Sequence, residues 1–185
     1  MKLLFVGSFI IGGLLWLSVF QVNNSMFRHS GGQTLYQSVK VNNEAFAQLM
    51  ERDLRRVGFG VPGHGILIAD STSFSFEADF VNSGSAQTVT WRTEQEDISE
   101  DRVETIFFRV GPESDLTIHN NEYRIGARDF NFRYFDRHMK ITTEVDSIRH
   151  IGFRMLSESE QRYGDRFERH AVERTVTPRN LNLGS

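Results

Sequence analysis

The chain has 185 residues, a formal net charge of −3 and no cysteine. That leaves room for one domain with a small appendage and excludes disulfides, thiol catalysis and thiolate metal sites. Its 18 arginines and 3 lysines are interleaved with acids almost throughout, which reads as a solvated, salt-bridged surface and not as a nucleic-acid footprint.

Residues 3–20, LLFVGSFIIGGLLWLSVF, carry no charge and include thirteen large apolar side chains. Eighteen helical residues span about 27 Å, close to the hydrocarbon thickness of a bilayer. Three readings compete: an uncleaved membrane anchor, a cleaved secretory signal and a buried helix of a soluble domain. The apolar run exceeds the usual signal core, and Ser18-Val19-Phe20 is a poor cleavage site. The expectation is therefore a single-pass anchor over residues 1–22, with Lys2 inside and the rest of the chain outside the cytoplasm. Gly12 and Gly13 would permit close approach of a neighbouring membrane helix, unless they are simply the glycines common in such helices.

Ser30-Gly31-Gly32 predicts a helix break, which would divide a stalk helix over 23–57. Beyond it Leu35, Val39, Phe46, Leu49, Met50, Leu54 and Val57 recur at spacings of one helical stripe, with Glu44, Gln48, Glu51, Arg52, Arg55 and Arg56 largely elsewhere. The stripe is expected to cover a sheet, with a partner surface as the alternative. The glycines of 58–65 end the helix, and residues 58–185 read as a β-rich head. Phe74, Phe76, Ala78 and Phe80 alternate with polar residues, and Thr88-Val-Thr-Trp91 returns as a hairpin partner. Residues 103–110, 123–125, 130–135, 141–145 and 148–156 are further strand candidates. Residues 93–101 and 157–170 read as loops.

These residues resemble a family. The order is an apolar helix, LMERDLRRVGF (49–59), a glycine-rich elbow, ADFVNSG (78–84), TVTW (88–91), FNFRYFD (130–136), IRHIGFRML (148–156) and PRNL (178–181). In that order they resemble the type IV pilin-like superfamily, and within it the minor pilins and pseudopilins of the PilW/PulJ type. The resemblance implies an α+β fold: a transmembrane helix continuing into an amphipathic stalk packed on an antiparallel sheet. It implies a subunit of a type IV pilus or type II secretion-like filament in the bacterial cytoplasmic membrane, acting in assembly priming or at the tip. Its partners would be other pilin-like subunits and the membrane, met through the anchor helix. Such proteins carry a glutamate just beyond a cleavage glycine; here Gly7 is followed by Ser8 and Phe9, Gly12 stands near the glutamate's place, and no acid precedes Glu44. The alternative is a membrane-anchored extracytoplasmic binding or adhesion domain outside any filament.

No catalytic pattern is present, and no enzyme, cofactor, small-molecule substrate or nucleic acid is expected. His29, His64, His119, His138, His150 and His170 lack metal-ligand spacing. The Gly58–Gly65 run lacks the Lys-Ser/Thr of a phosphate loop. Asp70, Asp79, Asn82 and Ser83 offer hard oxygens, but a turn explains them better than calcium. Arg133, Arg137 and Lys140 flank Tyr134 and Phe135, yet Asp129 and Asp136 interrupt the charge and the aromatic alternation indicates a core strand.

Overall fold

The computed structural model describes the backbone of residues 2–82, 84–99, 102–112, 118–162 and 166–182; the side chains of 2–11, 25, 27–29, 118 and 182 lie outside the description. One helix, α1 (Lys2–Leu54), is followed by seven strands: β1 (Ile66–Ala69), β2 (Ser73–Ala78), β3 (Gln87–Ser99), β4 (Arg102–Pro112), β5 (Ile118–Phe135), β6 (His150–Glu158) and β7 (Arg169–Val176). They form one curled antiparallel sheet in strictly sequential order. Each strand therefore pairs with its neighbour in sequence, as short loops dictate.

The C-terminal third of α1 packs on the sheet. Its inward face is Val39, Phe46, Ala47, Met50 and Leu54, all buried, and Val57 continues the buried row in the turn that follows. Phe46 meets three strands at once, with Trp91, Phe107 and Tyr123 at ring-centroid distances of 5.7, 4.5 and 5.5 Å. Phe74, Phe76, Phe130, Phe132, Tyr134 and Phe153 continue the aromatic layer across β2, β5 and β6. β2 and β3 pair as a hairpin with Phe74 opposite Trp91 and Phe76 opposite Val89.

Two glycines explain how the chain turns. Gly65 ends the elbow after α1 at φ +64°, where a Cβ would stand 2.7 Å from Gly58 Cα. Gly58 and Gly65 clamp Glu77, Gly58 N donating to its carbonyl at 3.0 Å and Glu77 N donating to Gly65 O at 2.7 Å. Gly126, at φ +68°, kinks β5 where a Cβ would meet Glu158 O at 2.5 Å. Its N–H is held by the buried Glu104 carboxylate at 2.9 Å, and the ladders shift register on either side of it. Such a bulge bends a strand without ending it.

Several expectations are corrected. The membrane anchor over 1–22 is not supported: among the described residues no helix is long and apolar enough to cross a membrane. Of the apolar run 3–20, the side chains of Gly12 to Phe20 are described, and all of these residues are exposed. Gln21, Asn23 and Asn24 follow it; the first part of the run lies among the side chains outside the description. Single-pass placement in a bacterial cytoplasmic membrane loses its support with the anchor. The pilin-like fold class is corrected as well, since the bulk of the chain is a single sequential meander and the helix brings no membrane-crossing segment to it. The short motifs behind the resemblance govern turns and strand faces, which do not fix an architecture.

The break expected near residues 30–32 is absent, because α1 continues through Ser30, Gly31 and Gly32. A glycine costs a helix only about 1 kcal/mol, and the docked turns on its C-terminal side outweigh that. Residues 93–99 belong to β3, and the two strands expected over 123–125 and 130–135 are one bulged strand, β5. Of the strand expected over 141–145 only a bridge between Ile141 and Phe135 remains. β1 and β7 had no counterpart in the sequence reading.

The helix end is held by a buried charge. Asp53 and Arg109 pair at 2.6 Å with side-chain exposures of 1% and 4%, and Trp91 Nε1 donates to the same carboxylate oxygen at 3.2 Å. Removing one member leaves the other charge buried and unpaired. Asp53→Ala is therefore expected to destabilise the fold by about 3–5 kcal/mol, read by chemical denaturation. Tyr134 supplies a second test. Its hydroxyl donates to Asp70 O at 2.7 Å, and burial first, with the nearby Asp70 charge second, pushes its pKa upward. The neutral form is thus favoured in the folded state, so this stability is present below the ordinary tyrosine pKa of about 10 and is lost as pH rises beyond it. Tyr134→Phe should cost about 0.5–1.5 kcal/mol at pH 7 and should remove part of the alkaline fall in melting temperature.

Candidate functional site: the projecting half of the helix

The docked half of α1 fixes where the other half points. Among the described residues Val39 and Asn43 are its first buried positions, and Leu35 and Tyr36 are half-buried. Asn43 Nδ2 donates to His170 O at 3.2 Å, Arg174 donates to Glu44 at 2.7 Å, and the Tyr36 ring meets His170 edge-on at 5.8 Å. These contacts tie the helix to β7.

Toward its N-terminus the helix leaves the sheet. Leu14, Leu15, Trp16, Leu17, Val19, Phe20, Val22 and Met26 are 57–73% exposed. Residues 14–17 are consecutive, so at 100° per residue their side chains point to every side of the helix. A helix that is apolar all round is normally buried on all sides. Ser18 and Thr34 donate their hydroxyls back to the carbonyls of Leu14 and Ser30, each at 2.9 Å, so these polar groups are satisfied within the helix. Nothing lies within 4 Å of a Cβ built on Gly12 or Gly13. Among the described residues no contact requires glycine there, and the space beside both is open. Each large apolar side chain taken from water contributes about 1.5–3 kcal/mol. Burial, not charge, is the chemistry this surface offers.

Of the stripe residues, Val39, Phe46, Met50, Leu54 and Val57 are buried against the sheet, Leu49 is partly buried on the same core, and Leu35 is half-buried higher up. The sequence reading passed over the polar members of that face, Asn43 and Asp53. Both fall at helical spacing with Phe46, Met50 and Val57, and a polar residue on an apolar stripe is the signal that marks them. The described histidines are scattered: His150 meets Thr177 at 2.7 Å, His138 meets Arg137, and His170 meets the helix. Among the described residues no group of three or more His, Cys, Asp or Glu could hold a metal ion. Asp79 closes the turn after β2, accepting from Val81 N at 3.3 Å and Gly84 N at 2.6 Å, while Ser83 lies outside the described residues. Arg133 pairs with Glu173 at 3.6 Å. Arg137 and Lys140 sit in the loop capped by Asp136, whose carboxyl is held below its ordinary pKa by the backbone N–H groups of Lys140 and His138.

No family model, curated protein or solved structure matches the chain.

Proposed function

We propose that this chain is a non-enzymatic assembly subunit. The β-sheet and the docked half of α1 form a rigid head, and the projecting half packs against helices of other subunits in a filament or comparable multi-subunit array. The observation that carries this reading is the all-round apolar exposure from Leu14 to Phe20, continued by Val22 and Met26. Monomeric proteins rarely leave so continuous an apolar surface in water. The open space beside Gly12 and Gly13 supports close approach of a second helix. The alternative of a membrane-anchored binding domain loses its motive, because no described helix crosses a membrane.

The absence of cysteine makes the test direct. Trp16→Cys places a thiol on the projecting half, and Ile141→Cys places one on the head, at a position 74% exposed. In cells producing the full chain, labelling the single thiol with a benzophenone maleimide and irradiating, which inserts into any nearby C–H bond, should trap Trp16→Cys in products with other chains, and Ile141→Cys far less. Trp16→Glu combined with Phe20→Glu should reduce incorporation at least tenfold, since losing one buried aromatic exceeds 1.4 kcal/mol. A chain that stays monomeric in sedimentation and gives no product at residue 16 would defeat the proposal.

A further inference from the structure

Beside the helix end lies a cleft of about 370 Å³, within the range of small ligand sites. Leu49, Phe80, Val81 and Tyr123 supply its apolar walls, and Arg109 and Asp53 lie at its floor. Arg52, on the last turn of α1, and Arg56, in the turn that follows it, stand at its rim. Both are exposed, and neither has an ion-pair partner among the described residues. Arg56 leans over the Phe80 ring at 5.3 Å. Their neighbour Arg55 differs, for it is paired with Glu51 at 2.5 Å, and that carboxylate is thereby used.

The charge arithmetic singles the cleft out. Arg52, Arg56 and Arg109 give +3 and Asp53 gives −1, leaving +2 in a chain whose net charge is −3. The helix C-terminus offsets about half a charge, so the cleft stays positive. Arg109 is already committed to Asp53 and, at 3.2 Å, to Pro112 O, which leaves Arg52 and Arg56 to meet a ligand. Planar guanidinium pairs suit carboxylates, and the aromatic walls suit an apolar group beside the charge.

We propose that this cleft binds a carboxylate carried next to an apolar side chain, supplied by an acidic segment of a partner polypeptide. The inference does not depend on helix packing, because its residues lie at the opposite end of α1.

The test uses the full chain, whose only tryptophans are Trp16 and Trp91. The Trp91 indole N–H donates to Asp53 at the cleft floor, so its ¹⁵N–¹H resonance reports on occupancy; Trp16→Phe identifies it. Titration with acetyl-Phe-Asp-amide should shift that resonance saturably, and acetyl-Phe-Asn-amide should not. Arg52→Gln with Arg56→Gln should weaken binding at least tenfold while the melting temperature changes little, as both positions are exposed. No saturable shift, an equal response to the Asn peptide, or an unchanged affinity in the double variant would each overturn the proposal. Acetate matching the acidic peptide at equal concentration would overturn the polypeptide as source and leave a simple anion site.

Discussion

The Asp53 carboxylate is the point on which the architecture turns. A charge only 1% exposed is tolerable only if its partners are in place. Here the carboxylate comes from α1 and its partners from two strands, the indole of Trp91 from β3 and the guanidinium of Arg109 from β4. Apolar packing alone would let the helix slide or rotate on the sheet at modest cost. The shared carboxylate removes that freedom, because a shift of one residue would leave two buried charges apart. Phe46, two turns earlier, then has one set of rings to meet.

Fixing one half of a continuous helix fixes the direction of the other. No break separates the two at Gly31-Gly32, so the docking geometry set by Asp53, Asn43 and Glu44 is carried along the rod to Trp16 and Phe20. The halves obey opposite rules. The docked half has one apolar face and a polar back, as a helix covering a sheet requires. In the projecting half the stretch from Leu14 to Phe20 is apolar on every side and exposed, with no sheet beneath it. A rigid head with an uncovered apolar rod suits a part that is completed by other parts.

The same buried pair shapes the cleft at the helix end. Holding Arg109 against Asp53 and Pro112 O sets the floor and neutralises one charge of each sign. The rim arginines are left facing solvent beside Phe80 and Tyr123. Stability and surplus positive charge thus come from neighbouring residues at the end of α1 and the turn after it, with Asp53 buried and Arg52 and Arg56 exposed.

How much could be read from the chain depends on how local the physics is. Period alone located the helix face around Phe46, Met50, Leu54 and Val57, because side-chain direction in a helix follows from backbone geometry. Alternation located β2 and its hairpin with β3, and the glycine run located the elbow, since each needs only adjacent residues. β7 was not legible, because only Val172 and Val176 of its eight residues turn into the core. The far end of β3 was not either, as it is exposed on both faces and is a strand only because β4 pairs with it. Hydropathy showed that residues 3–20 avoid water but not what covers them, and it overstated a membrane. The partnership of Asp53, Trp91 and Arg109 joins residues 38 and 56 positions apart. By itself the sequence determined which side chains seek burial and where the chain must turn. Only the tertiary structure decided which backbones pair and which charges meet, because those energies depend on groups that folding alone brings within hydrogen-bond distance.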